Sequence, residues 1–266
     1  MDPTDDHPDA AGLPRLYDDL AWLWPVLSPP EDYAAEAARL DELIRTRLGP
    51  GPKRVLELGA GGGHTLVHLA AADGPGHACV AVDRSEPMLA HCRTLIPGIQ
   101  AVAGDMRSVR LGQRFDVVLL HDAVDYLTTP RDIRETLATV REHLVPGGIA
   151  MIAPTYTAEA FTDSEVADDT AATDAAEVTY FSYVHDPDPG DDTFEMILLY
   201  LIRPRAADGT PGRAQVIEDR HTCGLFGGGE WLAMMRTAGL TTEFVEHEDA
   251  AWSLFVGTEP GDYAGS

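Results

Sequence analysis

A glycine-rich turn is the first feature of this sequence with chemical meaning. The run ELGAGGG at 57–63 follows the short apolar segment RVLEL at 54–58 and precedes the helical segment HTLVHLAAA at 64–72. Glycines let a main chain turn sharply and approach a ligand, and the first turn of a helix presents unpaired N–H groups. The turn is therefore expected to bind a small molecule.

An acidic residue follows at the distance that a nucleoside site requires. Asp83 ends the predicted strand ACVAVD, twenty-four positions after Gly59 (83 − 59). A carboxylate at this place can accept hydrogen bonds from both ribose hydroxyls. The dinucleotide fingerprint G-x-G-x-x-G would need glycine where this chain has His64, which disfavours an NAD-dependent oxidoreductase but leaves it as an alternative.

A second group of polar residues follows the apolar run FDVVLL at 115–120. His121 and Asp122 end this strand, where open α/β sheets place ligand-contacting residues. Asp122 can orient an ammonium or hydroxyl donor and His121 can titrate near neutrality, so we predict a catalytic role for one or both. Asp125 and Tyr126 are candidates to face an acceptor, although Tyr126 can equally pack on the next helix. One His-Asp pair supplies too few ligands for a divalent ion, so no metal is predicted.

Strands that alternate with helices must position these residues. Five apolar runs separated by helical segments occupy 53–156, which is typical of a mainly parallel, doubly wound sheet. Residues 157–177 have weak periodicity and are predicted to form a mobile loop or short helix. Three strand-like runs without helices between them follow, at 178–185, 193–202 and 214–223. They predict an antiparallel β-meander that covers the acceptor pocket.

The fold class predicted is α/β, a Rossmann-like seven-stranded mainly parallel sheet with an inserted antiparallel β-meander. The predicted organisation is a disordered tail at 1–14, a helical cap at 15–52, a cofactor-binding core at 53–156, a lid loop and antiparallel insertion at 157–223, a C-terminal helix with closing strands at 224–258, and a tail at 259–266.

The ordered motifs resemble the class I S-adenosylmethionine-dependent methyltransferases. The resemblance rests on the glycine turn, Asp83, the run Gly104-Asp105-Met106 and FDVV on the fourth strand. It implies S-adenosylmethionine as cofactor and S-adenosylhomocysteine as product. It places the turn beside the methionine moiety, Asp83 on the ribose, Asp105 on the adenine amino group and Met106 against the ring. The expected cofactor-binding residues are Tyr17, Tyr33, Glu57, Gly59, Ala60, Gly61, Gly63, Asp83, Arg84, Met88, Gly104, Asp105, Met106 and His121.

A closer resemblance covers most of the chain. The segments Leu16-Tyr17-Asp18, 32–37, 104–107, 124–127, 224–226 and 254–257 are similar to N,N-dimethyltransferases that act on nucleotide-linked amino sugars in antibiotic biosynthesis. It implies methyl transfer to an amine or hydroxyl of a small molecule, with amino-sugar N-methylation favoured. Tyr17 and Tyr33 match positions that close over the cofactor. A non-methylating S-adenosylmethionine-binding protein or a cyclase remains an alternative.

Several residues depart from that pattern or have competing interpretations. The stretch between Tyr17 and Tyr33 is longer and contains Trp22 and Trp24, and His121-Asp122 replaces smaller or apolar residues. The expected catalytic residues are His121, Asp122, Tyr126 and Tyr17. Structural roles are expected for His64, His185 and His221, and packing is favoured over an acceptor pocket for Trp22, Trp24 and Phe226.

Composition limits the class of partner. The formal charge is −25, with 44 acidic and 19 basic residues, so the average surface field would repel a phosphate backbone. We therefore expect a small-molecule acceptor and no nucleic acid. The N-terminus lacks the features of a signal peptide, no apolar run reaches membrane-spanning length, and the three cysteines show no disulfide pattern. A cytoplasmic protein is expected, possibly a homodimer because an inserted sheet exposes edges.

Overall fold

The chain folds into two β-sheets in the computed structural model, which describes residues 12–72, 76–245 and 253–261. The larger sheet has seven strands and the smaller has four. The predicted fold class is thereby confirmed. Residues 1–11, most of the C-terminal tail and His247-Glu248-Asp249, which lie between the two predicted closing strands, are outside the described residues.

The seven-stranded sheet has the order β10-β11-β5-β4-β1-β2-β3. Its strands β1 to β5 pair in parallel, whereas β11 runs antiparallel to both β5 and β10. The order puts β4 directly beside β1, so the residues that follow these two strands meet at one edge. The strands are β1 (Arg54–Leu58), β2 (Ala78–Asp83), β3 (Gln100–Ala103), β4 (Phe115–His121), β5 (Leu144–Ala153), β10 (Thr241–Val245) and β11 (Leu254–Thr258).

Helices cover both faces of this sheet and bury two apolar clusters. One cluster includes Phe115 and Val118 of β4 together with Trp231, and the other includes Leu40 and Leu66. Two helices begin with a side-chain N-cap. The side chain of Ser85 accepts a hydrogen bond from the N–H of Met88, and that of Thr129 accepts one from the N–H of Asp132. The helices are α1 (Trp24–Leu27), α2 (Ala34–Leu48), α3 (His64–Ala70), α4 (Glu86–Leu95), α5 (Pro130–His143) and α6 (Gly228–Thr237).

One helix boundary and one strand boundary differ from those that the sequence predicts. The apolar spacing of 31–48 predicts a single helix, but the segment begins as a short 3-10 helix, Pro30–Tyr33, before α2 continues to Leu48. The apolar run at 148–153 predicts the fifth strand, but β5 begins at Leu144, directly after α5. A register shift against β4 between Phe115 and Val117 accommodates the extra residues of β5.

The insertion contains one strand more than predicted. It has the order β6-β7-β8-β9, formed by β6 (Glu165–Ala172), β7 (Ala176–His185), β8 (Thr193–Pro204) and β9 (Gln215–Gly224). The prediction of a loop or short helix over 157–177 is therefore wrong for β6. Its sequence EVADDTAA shows no apolar alternation because nearly every side chain of this edge strand is exposed, and backbone pairing with β7 holds it in place.

The N-terminal segment packs against the inner face of the insertion. Leu16 and Leu23 share an apolar cluster with Val178, Leu198 and Tyr200. Two short 3-10 helices, Arg15–Tyr17 and Ala21–Leu23, present these leucines. No helix within the described part of the chain is long and apolar enough to cross a membrane.

Hydrogen bonds also hold the N-terminal segment against the insertion. The backbone N–H groups of Arg15 and Leu16 donate to the carboxylate of Asp219 on β9, at 3.1 and 2.8 Å. Because these donors lie in the first turn of the 3-10 helix Arg15–Tyr17, where N–H groups have no partner within the helix, the carboxylate of Asp219 satisfies groups that the segment itself leaves unpaired. The N-terminal segment and the insertion therefore form one continuous wall beside the parallel sheet.

Candidate active site

A cavity opens at the carboxyl ends of β1, β2 and β4. It contains twelve of the fourteen residues expected at the cofactor: Tyr17, Tyr33, Glu57, Gly59, Ala60, Gly61, Asp83, Arg84, Met88, Gly104, Met106 and His121. Gly63 and Asp105 do not line it. The structure thus brings together residues that are spread over more than a hundred positions of sequence.

The shape of the glycine turn depends on the absence of side chains. Gly59 has a φ of +80°, and a Cβ there would lie 2.3 Å from the Cβ of Ala123, another lining residue. Gly63 has a φ of +79°, and its Cβ would lie 2.6 Å from the Sγ of Cys92. Gly59 therefore keeps the cavity open, whereas Gly63 allows α3 and α4 to approach.

Asp83 is held in one orientation by the backbone. Its Oδ2 accepts from the N–H of Gly61 at 2.8 Å and its Oδ1 accepts from that of Ser85 at 2.7 Å. Burial raises the pKa of Asp83, and these two hydrogen bonds oppose that rise. Each carboxylate oxygen retains acceptor capacity toward the cavity. These two acceptor oxygens fit a ribose whose two hydroxyls donate hydrogen bonds.

Glu57 supplies an unpaired buried acceptor on the other side of the turn. Its side chain is 3% exposed, and Oε2 has no hydrogen-bond partner among the described residues. Burial raises its pKa to about 8. A cationic group placed nearby would favour the ionised form, so the ammonium of an amino acid moiety fits this end of the cavity. Asp83 and Glu57 thus match the ribose and the amino acid end of S-adenosylmethionine.

Asp105 differs from the expectation. Its carboxylate accepts three side-chain hydrogen bonds from Arg107, the shortest 2.7 Å from Nη2 to Oδ2, and this arrangement holds it outside the cavity lining. Arg107 in turn contacts Asp132, 3.0 Å from Nη1 to Oδ1. The ion pair explains why the pKa of Asp105 is lowered despite its partial burial. Met106 does line the cavity, as the resemblance implied.

Several lining residues were not expected at the cofactor. Trp24 and His64 have ring centroids 5.8 Å apart, and Tyr33 packs edge-on against His64 at 5.3 Å. Burial lowers the pKa of His64 to about 4, so its ring is neutral at physiological pH. Residues 12–14, which we expected in a disordered tail, also line this cavity. No sequence pattern links this segment to a site more than forty residues away.

A second cavity of about 310 Å³ adjoins the first. Four residues line both: Tyr17, Trp24, Asp122 and Tyr126. Its remaining walls come from the N-terminal segment, from the loop after β5, and from the inner face of the insertion. That inner face contributes Ala167, Tyr180, Ser182, Val184, Phe194, Met196, Leu198, Tyr200 and Cys223.

His121 and Asp122 lie where the cavities meet. Nε2 of His121 is 3.0 Å from Oε1 of Glu36 and 3.1 Å from Oδ1 of Asp122. Burial alone would lower the pKa of His121, but these carboxylates raise it to about 9. His121 is therefore protonated at neutral pH. The prediction that His121 titrates near neutrality does not fit this environment, because it considered the residue without Glu36.

Asp122 combines an unusual backbone with an accessible carboxylate. Its φ is +50°, a left-handed value that is uncommon for a residue with a side chain. About half of its side chain, 52%, remains accessible to the cavities. Enclosure by protein raises its pKa, while the neighbouring His121 opposes this effect. Strain of this kind is concentrated at functional sites.

Asp125 is a second carboxyl group in the wall of the second cavity. It is 6% exposed, and the N–H of Thr155 donates to both of its oxygens at 3.2 Å. Burial raises its pKa to about 8. At neutral pH it therefore carries a proton in most molecules, and a cationic ligand would favour its ionisation.

Tyr126 begins a polar chain that the sequence did not reveal. Its hydroxyl donates to that of Tyr17 at 2.9 Å and lies 2.6 Å from Nδ1 of His221. Nε2 of His221 lies 3.0 Å from Oδ2 of Asp219, which also binds the N-terminal segment. The alternating buried pattern of β9 was visible, but nothing in the sequence placed His221 beside a tyrosine 95 positions earlier.

Other candidates lie elsewhere. Of the three aromatic residues considered for an acceptor pocket, Trp24 lines the cavities, whereas Trp22 is 40% exposed and Phe226 belongs to the core of the sheet. His185 pairs with Glu195 at 3.3 Å and is not among the residues lining either cavity. The position of Phe226 supports the packing interpretation for that residue, whereas Trp22 lies at the surface and lines neither cavity.

Comparison with known proteins agrees with this geometry. A methyltransferase domain model matches residues 55–148. The dTDP-3-amino-3,4,6-trideoxy-alpha-D-glucopyranose N,N-dimethyltransferase of Streptomyces venezuelae is 33% identical over 229 residues, which cover 85% of this chain and 91% of the relative.

Solved structures extend the similarity to the whole fold. Streptomyces venezuelae DesVI matches with a TM-score of 0.75 and 30% identity, over 91% of this chain and 96% of that protein. CalS10 of Micromonospora echinaspora, an amino pentose methyltransferase solved with S-adenosylmethionine bound, matches with a TM-score of 0.71 and 28% identity, over 85% and 91%. The chain therefore belongs to the family of S-adenosylmethionine-dependent methyltransferases that includes these N,N-dimethyltransferases.

Proposed function

We propose that this enzyme methylates the amino group of a small amino sugar or a closely similar amine. The observation that supports this proposal best is the position of Asp122, whose accessible carboxylate lies at the junction of the two cavities. A carboxylate accepts hydrogen bonds and attracts an ammonium. The amine acceptors named for the relatives agree with such a group.

The bound cofactor would provide the reactive group, and the protein would hold it in place. When bound, S-adenosylmethionine supplies a methyl group that its sulfonium has already activated toward a nucleophile. In this proposal Asp83 binds the ribose, Glu57 binds the amino acid end, and the glycine turn fits between them. The protein then has to align the acceptor amine with this methyl group and to exclude water from the site.

Asp122 is the residue proposed to receive the amine. An oxygen of its carboxylate orients the N–H bonds and takes up the proton that the amine releases. The pKa of Asp122 is raised, which brings a carboxylate closer to the basicity of such a task. His121 is protonated and balances the charge of Glu36 and Asp122, so we assign it a positioning role instead of that of base.

The walls of the second cavity complete the site. Phe194, Met196 and Leu198 present apolar surface from β8, and Leu16 and Leu27 do so from the N-terminal segment. In this proposal residues 15–52 and 157–223 act as the two covers of the core 53–156. Among the polar groups of these walls, the carboxyl groups are the ones that would attract a cationic amine, which fixes the orientation of the acceptor.

Amino sugars and their hydroxyl analogues provide the test. The enzyme is incubated with S-adenosylmethionine and sugar pairs that differ by one amino or hydroxyl group, and S-adenosylhomocysteine and methylated product are quantified. Methylation of the amine alone supports the proposal. Methylation of the hydroxyl analogue at an equal rate would point to O-methylation, and cofactor binding without product from any pair would point to a non-methylating role.

We further propose a homodimer formed by the outer face of the insertion. Exposed apolar side chains share this face: Val166, Phe181, Tyr183, Leu199, Leu201 and Val216. Such a patch is typical of an interaction surface. Val216, 72% exposed, is the residue to change. Light scattering should give a dimer for the parent and a monomer for Val216→Glu; a monomeric parent would contradict the proposal.

A cytoplasmic location is the corresponding proposal for the compartment. Cys79, Cys92 and Cys223 are all free thiols, which agrees with a reducing environment. Fractionation of producing cells should recover the enzyme with cytoplasmic markers, and recovery with secreted proteins would contradict this location.

A further inference from the structure

The positive charges of this enzyme lie away from the second cavity. All 19 Lys and Arg residues of the sequence fall within the described ranges, so their positions relative to the cavity are known. None of them lines it. Arg84 is the one that lines the cofactor cavity, and its Nε is 3.8 Å from Asp105.

The arginines nearest in sequence to the cavity walls belong to the outer surface. Arg220 lies between the inward-facing Asp219 and His221 and pairs with Glu218 and Glu195. Arg15 pairs with Asp19 on the N-terminal segment, where both side chains are about half exposed. These partners hold the guanidinium groups in solvent, on the side away from the cavity.

The titratable side chains that face the cavity include two carboxyl groups. They are Asp122 and Asp125, and the rest of the lining is apolar or carries uncharged polar groups, namely hydroxyls, the indole N–H of Trp24 and the thiol of Cys223. The N–H of Thr155, which lies beside them, is already used by Asp125. The cavity therefore offers acceptors for a cation and no charged donor for an anion.

A nucleoside diphosphate needs the opposite arrangement. Proteins bind phosphate groups with Arg or Lys side chains, or with several convergent backbone N–H groups. Removal of a diphosphate from water without such partners is strongly unfavourable, and the nearby carboxylate of Asp122 adds repulsion. An acceptor that carries a diphosphate would therefore bind in the cavity more weakly than the same amine without it.

We propose that the acceptor is an amine without phosphate, so that the sugar is methylated as a simple glycoside or as part of a larger neutral molecule instead of as a nucleotide conjugate. This inference rests on the proposed amine methylation. Asp122 and Asp125 select the ammonium, and the apolar inner face of the insertion binds the uncharged remainder. The substrate class is therefore set by charge at the acceptor cavity.

Matched acceptors test the inference. Amino-dideoxyglucoses are each supplied as the methyl glycoside and as the dTDP conjugate, and kcat/KM is measured for both with saturating cofactor. We expect the glycoside to be at least about tenfold better, a difference that corresponds to about 1.4 kcal/mol. A conjugate that is equal or better would overturn the inference and leave amine methylation intact. Failure of both forms would overturn the proposed function and this inference with it.

A new cation provides the second measurement. Ser182 lines the cavity from β7, whereas Tyr183 points from the same strand to the outer surface. Ser182→Arg should raise kcat/KM for the dTDP conjugate by about tenfold relative to the glycoside. Tyr183→Arg, which adds the same charge on the opposite face, should leave the ratio unchanged. An unchanged ratio in Ser182→Arg, or equal changes in both variants, would contradict selection by local charge.

Discussion

The hydroxyl groups of Tyr17 and Tyr126 lie 2.9 Å apart and are joined by a hydrogen bond. Tyr17 belongs to the N-terminal segment and Tyr126 follows the fourth strand of the parallel sheet, and both line the two cavities. Through Tyr126 the bond continues to His221 of the insertion. Three separate parts of the chain are thus fixed to one another at the boundary between cofactor and acceptor.

Tyr126→Phe should loosen this boundary. The variant removes a buried hydroxyl and leaves groups of Tyr17 and His221 without a partner, which we expect to cost about 1–3 kcal/mol of unfolding free energy. Acceptor KM should rise while the cofactor Kd stays nearly constant. Tyr33→Phe is the matched control, because the hydroxyl of Tyr33 contacts Ser28 and Tyr33 lines the cofactor cavity but not the second cavity. Equal acceptor KM in parent and Tyr126→Phe would argue against this role.

Asp83→Ala should weaken cofactor binding strongly. Each hydrogen bond from a ribose hydroxyl to the carboxylate contributes on the order of 1.5–3 kcal/mol. Asp105→Asn should change the Kd by less than about threefold because that carboxylate is occupied by Arg107 outside the cavity. Calorimetry on the folded variants decides the matter. An unaffected Asp83→Ala protein would remove the cofactor from this strand, and a large loss in Asp105→Asn would restore the adenine contact to Asp105.

The ion pairs of His121 should make stability depend on pH. Its pKa is about 9 in the folded protein against an ordinary value of 6.5. A raised histidine pKa contributes stability that is fully present below about 6.5 and is lost as the pH rises through 9, because the folded state binds the extra proton in that window. The slope for one proton is at most about 1.4 kcal/mol per pH unit.

Urea titrations between pH 6.5 and 9 measure this contribution. The parent should lose stability toward pH 9, and His121→Gln should lose less over the same interval. Asp125 and Glu57 have raised pKa values near 8 and also lower stability as the pH rises, so the difference between parent and variant isolates His121. Parallel pH profiles for the two proteins would show that His121 is not protonated in the folded state.

The parallel sheet was predictable because its strands are continuous apolar runs between helices with clear caps and turns. The glycine turn and Asp83 were found for the same reason: they follow strands at fixed spacing. The strand β6 was not predictable from the sequence, because its exposed side chains leave no periodic apolar pattern.

The missed parts of the site depend on contacts between distant segments. Glu36 reaches His121 from α2 and, together with the adjacent Asp122, reverses the effect of burial on the pKa of His121. His221 reaches Tyr126 from the insertion. Local sequence shows neither pair, because each is produced by the packing of the covers on the core.

Asp122→Asn tests the central claim most directly, namely that the acceptor amine is oriented and deprotonated at the junction of the two cavities. The amide keeps the size of the side chain but lacks the charge and basicity, and the side chain is half exposed, so the variant is expected to fold as the parent does. Mass spectrometry of a methylated amino sugar should show turnover reduced by roughly 10²–10⁴-fold, with the cofactor Kd nearly unchanged. Parental turnover in Asp122→Asn would contradict the account.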